Sequence, residues 1–266
     1  MAGETIKTRG VCLAIHPWSR TSHIVSWLTA EGRVKTVVKG AVRPKSAFLG
    51  KYDLNYSCEI LYYARAKGEL HALRECSAVE SRESLRGDFR RLAAADYLRH
   101  LMGELAPSGP DCESWLSELE ASLDRIAHSD DPRTLLAEII SSELRILSLS
   151  GLEPDFSGYD PDVEWSLFAV EQGVFNGGSG RTIRISPRTA QCLISPQNDC
   201  SMQILLDAAR VIGVFYQFHL DCASDVRRMA LRMISTTITR VVKNEQTQNI
   251  RRRDGGRHDD CRLQQE

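Results

Sequence analysis

The stretch GRVKTVVKGAVRPKSAFLGKY, from Gly32 to Tyr52, carries six cations and no carboxylate. In its first half Arg33, Lys35 and Lys39 share one parity while Val34, Thr36 and Val38 share the other. That is the period-two signature of a strand with one wet face and one buried face. Beyond Lys39, the segment GAVRPKSAFLG mixes Gly40, Pro44, Ser46 and Gly50 with Arg43 and Lys45, and reads as a flexible basic loop. A cationic strand running into a cationic loop has the charge pattern to follow a polyanion backbone. The competing reading is an edge strand whose lysines deter aggregation.

On either side of this run, turn residues separate further short strands at Gly10 to Ile15, Ile24 to Thr29, Arg33 to Lys39, Tyr56 to Tyr63 and Glu69 to Cys76. Five short strands without a long helix fit an OB-fold barrel, and an SH3-like barrel fits nearly as well. After Ser81 the period changes to that of helices. Phe89, Leu92, Ala93, Tyr97, Leu101 and Leu105 mark one, and Trp115, Leu116, Leu119, Leu123 and Ile126 mark a second. A third runs from Pro132 through Leu135, Ile139 and Leu147, with Asp130 or Asp131 as cap and Gly151 as stop. Asp155 to Gly180 reads as an irregular excursion, and helical spacing resumes near Cys200 with Ile204, Leu205, Ala208, Val211, Ile212, Phe215 and Phe218 on one apolar surface. A later apolar face runs through Met229, Met233, Ile238, Val241 and Val242. The expected class is therefore α+β: residues 1–80 a barrel, 81–243 a mainly helical domain interrupted at about 155–200, and 244–266 a disordered tail.

The totals alone exclude little. Of 266 residues, 26% are charged, with a net charge of -1. Charge is unevenly spread, however: the first 80 residues have 12 cations to 7 anions, residues 81–170 have 8 to 18, and residues 171–243 have 9 to 5. No apolar run reaches the roughly 18 residues of a membrane span, and the polar start MAGETIKTRG has no signal-peptide core, so the expected place is the cytosol. The eight cysteines include no CxxC pair and read as reduced structural thiols. There is no GxxxxGK[ST], HExxH or GxSxG, and the seven histidines show no metal-ligand spacing, so neither a catalytic residue nor a metal ligand is expected.

The candidate polyanion contacts are therefore Arg33, Lys35, Lys39, Arg43, Lys45 and Lys51. Arg227, Arg228 and Arg232 form a smaller basic group on a late helix. Phe48, Tyr52 and Tyr56 are aromatics that either stack on bases or pack in the core.

The segment SHIVSWLTAEGRVKTVVKGAVRPKSAFLGKYDL, from Ser22 to Leu54, resembles the amino-terminal domain of RecO, the bacterial recombination mediator. Thr29, Gly32, Arg33, Lys39, Gly40, Arg43, Pro44, Lys45 and Ser46 follow that family's order of residues. Leu149 to Pro154 and Phe168 to Phe175 resemble the remainder more loosely. The resemblance implies a non-enzymatic DNA-repair protein without cofactor, cytoplasmic and nucleoid-associated. It implies binding to single-stranded and duplex DNA, annealing of complementary strands, and help in loading RecA onto strands coated by single-strand-binding protein, with that protein and RecR as partners. It also implies a zinc module flanking Asp155 to Gly180. This chain has no cysteine there and Asn176 stands near an expected ligand, so the module is expected to be degenerate or lost. An interaction scaffold, an RNA-binding module and a nuclease are the alternatives of other classes.

Overall fold

The computed structural model describes residues 4–65, 68–196, 199–220 and 225–235. Its first five strands are β1 (Thr5–Ser19), β2 (Ser22–Thr29), β3 (Gly32–Val38), β4 (Ser57–Tyr63) and β5 (Leu70–Glu80). They close in the order β1-β2-β3-β5-β4, with β4 pairing back to β1. Every pairing is antiparallel except that of β3 with β5. This is OB-fold connectivity, which settles the choice against an SH3-like barrel. The inward residues include Val25, Trp27, Val34, Cys58, Ile60 and Tyr62. Trp27 donates its indole N–H to Thr36 Oγ1 at 2.9 Å, so the one ring nitrogen in the barrel core is satisfied.

β1 and β5 are longer than their apolar cores. The flanks Thr5 to Arg9 and Ser77 to Glu80 are largely exposed and carry no hydrophobic alternation, yet they pair with β4 through backbone bonds. Backbone pairing leaves no mark on side-chain pattern, which is why the sequence shows only the middle of each strand.

Three helices follow: α1 (Phe89–Leu105), α2 (Glu113–Ala127) and α3 (Pro132–Leu149). Asp88 caps α1 by accepting from the Arg90 N–H. Asp131, not Asp130, caps α3, accepting from the backbone of Arg133 and Thr134 with Pro132 in the first turn. Gly151, at φ +70°, ends α3 in the left-handed conformation that glycine adopts without strain.

The excursion from Asp155 is not irregular. It contains a sheet of β6 (Ser166–Ala169), β7 (Val174–Phe175) and β8 (Thr182–Ile185), followed by α4 (Pro187–Ile194). Strands of four, two and four residues are too short to declare a period, and their apolar side chains alternate over too few positions to read. The sheet is filled by tilted rings: the Phe175 ring centre lies 5.4 Å from those of both Phe156 and Phe168, and Phe168 lies 5.8 Å from Phe215 of α5 (Met202–His219). Asn176 clasps it with both amide atoms, Oδ1 accepting from Leu167 N–H at 2.9 Å and Nδ2 donating to Gly158 carbonyl at 3.0 Å. The carboxylates of Asp155 and Asp160 accept from backbone N–H groups two residues on. These residues do not fit a zinc site: there is no thiolate, and the polar atoms near Asn176 are already engaged in the turn. Among the described residues no three His, Cys, Asp or Glu side chains are placed to hold a metal ion.

One core joins the two halves. Val11, Leu13 and Leu28 of the barrel are buried with α1, α2, α3 and α5 in a single apolar cluster. Residues 225–235 are helical and close it with Ala230 and Ile234. The apolar positions Ile238, Val241 and Val242 and the expected tail from Asn244 to Glu266 lie outside the described residues.

The caps give the fold a defined acid limb. The Arg90 side chain beside Asp88 holds that carboxyl below its ordinary 3.8. For Asp131, burial pushes upward, but the Thr134 hydroxyl and the backbone N–H groups outweigh it and the carboxyl is again lowered. A carboxyl whose folded pKa is depressed stabilises the fold above its unfolded value and loses that contribution as pH falls through the folded one. Urea midpoints should therefore drop as pH falls below about 4, and Asp88→Asn with Asp131→Asn, which keeps a capping oxygen, should show a shallower drop.

Candidate nucleic-acid interface

The basic run begins inside the barrel wall. Along β3 the side chains of Val34 and Thr36 are buried in the barrel, while Arg33 and Lys35 stand outside. The outer residues then diverge. Gly32 has φ +116°, and a Cβ there would lie 2.5 Å from the Gly109 carbonyl of the α1–α2 connection, so only glycine lets the two segments meet. Arg33 exploits that approach, donating to the Gly103 carbonyl at 2.6 Å and to Ser108 Oγ at 2.7 Å. The Gly32–Arg33 pair clamps the barrel to the helices, a role that its sequence position does not reveal. Lys35 reaches toward Glu69 at 3.9 Å, a loose exposed pair.

A second clamp joins the barrel to the helices at Arg82. Arg82, in a left-handed conformation and with a nearly fully buried guanidinium, donates to Asn55 carbonyl at 2.9 Å, Ser57 Oγ at 3.0 Å and Asp124 at 2.5 Å. It links the β4 entry to α2. A lone arginine after a strand carries no pattern that could have announced this.

Beyond β3 the loop is ordered by a staircase of turns. Arg43 N–H bonds Gly40 carbonyl, Ser46 bonds Arg43, Leu49 bonds Ser46 and Lys51 bonds Phe48. The expected flexible loop is thus a chain of tight turns held at both ends. At the near end Gly40 N–H donates to Ser22 Oγ and Val42 N–H to Thr21 carbonyl. At the far end the Lys51 carbonyl accepts from the thiols of both Cys58 and Cys76 at 3.6 Å.

Lys39, Arg43, Lys45 and Lys51 are all exposed, and none lies within 4 Å of a carboxylate among the described residues. The aromatics of this region face inward instead. Phe48, Tyr52 and Tyr56 pack against the barrel core. Tyr52 also shares a 2.9 Å hydrogen bond with His23 Nδ1, and Arg86 lies 5.5 Å from the Tyr56 ring centre. Burial pushes the Tyr52 hydroxyl upward, so it stays neutral.

Two clefts lie along the outward face of β3. The larger, about 820 Å³, lies between the barrel and α1 and is lined by Arg33, Lys35, His16, His71, Arg99 and His100, but also by Glu69 and Glu104. Its arginines are already engaged, Arg99 with the Leu13 carbonyl and Asp96. Burial, then Arg65, lowers the pKa of His71, which is therefore neutral near pH 7. The smaller, about 470 Å³, lies beside the β1–β2 turn and holds Lys39 and Arg43 with Trp18, Ser19, Thr21 and Ser22, and no carboxylate lines it. Size favours the first cleft; uncompensated positive charge favours the second.

The late arginines are not equivalent. The Arg227 side chain is largely buried and forms a two-pronged ion pair with fully buried Glu143, at 2.6 and 3.0 Å, while donating to Ala209 carbonyl. Tyr97 donates to the same carboxylate at 2.5 Å. Arg228 is exposed and paired with Asp225 at 2.7 Å, and Arg232 is exposed. Spacing alone could not separate a buried arginine from its surface neighbours.

The model of the recombination protein O amino-terminal domain matches residues 1–82, and that of the carboxy-terminal domain of the same protein matches residues 86–158. The chain belongs to the RecO family. Curated relatives named DNA repair protein RecO include that of Gloeothece citriformis, 28% identical over 57% of the chain, and that of Alkaliphilus metalliredigens, 27% identical over 64%. The Symbiobacterium thermophilum relative is 31% identical over 67% of the chain. The chain spans 53%, 70% and 65% of these three relatives' own lengths. In this RecO-family chain the amino-terminal match coincides with the barrel and the Arg82 clamp, and the carboxy-terminal match covers α1 to α3. The β6–β8 sheet, α4 and α5 lie beyond it. No described helix is long and apolar enough to cross a membrane.

Proposed function

We propose that this protein is a non-enzymatic DNA-repair and recombination mediator. It binds single-stranded and duplex DNA, anneals complementary strands, and assists RecA loading onto strands coated by single-strand-binding protein, in the cytoplasm at the nucleoid. The observation that carries the reading is the group of unpaired exposed cations Lys39, Arg43, Lys45 and Lys51 on an ordered loop at the edge of an OB-fold barrel. Oligonucleotides bind OB-folds on the face of the second and third strands and on the β1–β2 and β4–β5 loops, and the cationic β3–β4 loop here continues directly from that third strand. An annealer needs cations that screen phosphate repulsion between two strands, not base-specific contacts.

The protein partners in this reading are single-strand-binding protein and RecR. A groove of about 430 Å³ between α1 and residues 225–235 supports a peptide partner by its apolar lining of Phe89, Leu92, Ala93 and Met229. Arg99 at its edge already pairs with Asp96, so the support is an apolar slot that a hydrophobic peptide end would fill.

The test is strand annealing with complementary oligonucleotides coated by single-strand-binding protein, followed over a salt series. Annealing should be faster with the protein and slow steeply as salt rises. Salt-insensitive binding to the coat protein, without affinity for naked DNA, would replace the mediator with a scaffold. Strand cleavage in magnesium would make it a nuclease.

A further inference from the structure

Trp18 is 61% exposed, an unusual placement for the most costly side chain to leave in water. Its position follows from the register of β1 against β2. Pro17 pairs with His23 and Ser19 with Ser22, so Trp18 is the extra residue of a bulge and has no partner across the ladder. A bulge re-aims its side chain, and here the indole lines the same small cleft as Lys39 and Arg43. The cleft wall is fixed by the Gly40 to Ser22 and Val42 to Thr21 bonds, so the cations and the ring are presented by two loops tied to each other. Ser19, Thr21 and Ser22 add hydroxyl groups to the lining.

We infer that Trp18, Lys39 and Arg43 form a base-stacking subsite for single-stranded nucleic acid, in which the indole takes one unstacked base while the two cations hold the flanking phosphates. The inference rests on the DNA-binding reading above and deepens it. Charge alone treats single strands and duplexes alike, whereas a free aromatic face selects a base that has left its stack. A protein-binding role for the exposed ring is disfavoured by its setting, since the cleft's charged residues are all cations.

The subsite is tested with an oligothymidylate 20-mer and an abasic 20-mer, which have matched backbones and differ in bases. Wild type should bind the thymidylate strand about tenfold more tightly. Trp18→Ala should remove that preference while leaving abasic affinity unchanged, and Trp18→Phe should retain most of it. Binding should also quench indole fluorescence in wild type and much less in Trp18→Phe, because Trp27 and Trp115 are buried and Trp165, though 41% exposed, lies outside the cleft with Arg184 over its ring. An unchanged urea midpoint will show that the exposed substitution leaves the fold intact. If wild type binds both strands equally, or if Trp18→Ala keeps the preference, the stacking subsite is overturned while DNA binding stands. If wild type binds neither strand, the DNA-binding reading itself falls and the subsite with it.

Discussion

Replacing Arg227 with alanine should destabilise this protein by about 3–5 kcal/mol, the cost of leaving a buried charge without its partner. The carboxylate at risk is Glu143, which has no exposed surface and is held by Arg227 and Tyr97. Burial acts to lower the Arg227 pKa, but the adjacent Glu143 more than reverses this, so the guanidinium keeps its charge in the fold. The pair lies between α3 and residues 225–235, and Arg227 also reaches Ala209 of α5, so its loss unfastens the far side of the core. Urea unfolding gives the measurement. Arg227→Met with Glu143→Gln should recover much of the stability, because the buried charge goes with its partner. A loss below about 1 kcal/mol for the single substitution would mean that water reaches Glu143.

Joint substitution of Lys39, Arg43, Lys45 and Lys51 by glutamine should lower the steepness of log affinity against log salt by about 3 for single-stranded DNA, at about 0.7 per lost phosphate contact. Affinity at low salt should fall with it by roughly two to three orders of magnitude. Arg33→Gln is the informative control. Its guanidinium is committed to Gly103 and Ser108, so the change should lower the urea midpoint and leave the salt slope nearly intact. If Arg33→Gln flattens the slope as much as a loop cation does, the strand Arg33 to Lys39 as a whole is the phosphate track. An unchanged slope in the fourfold variant removes the loop from the interface.

These two results concern arginines and lysines that look alike in the sequence, and they mark where its legibility ends. The alternation from Arg33 to Thr36 places the wet and dry faces of β3 correctly, because parity depends only on the backbone pleat, and it fails only at Val37, which shares the wet parity but is buried. The same holds for the helix periods around Tyr97, Leu119 and Ile139, and for a cap at Asp130 or Asp131, between which the fold chose Asp131. Such signals are local, and the residues that produce them sit within a few positions of one another. The family order of residues from Thr29 to Ser46 was equally readable, and it points to the family that the domain matches support.

The tertiary structure decided what each polar side chain does. Arg33 reaches Gly103 and Ser108, 70 and 75 residues later, Arg82 reaches Asp124 of α2, and Arg227 finds Glu143 of α3, 84 residues earlier; no spacing rule encodes such partners. The small β6–β8 sheet was missed because strands of two to four residues are held by aromatic packing with α5, not by a period of their own. Trp18 was missed because one extra residue in β1 shifts the register, and a bulge is defined only by the strand it pairs with. The sequence by itself thus determined the barrel, the first three helices and the excess of positive charge from Gly32 to Tyr52. Only the fold decided which of those six charges remain free for a ligand, since that depends on which carboxylates and carbonyls folding brings within hydrogen-bonding distance.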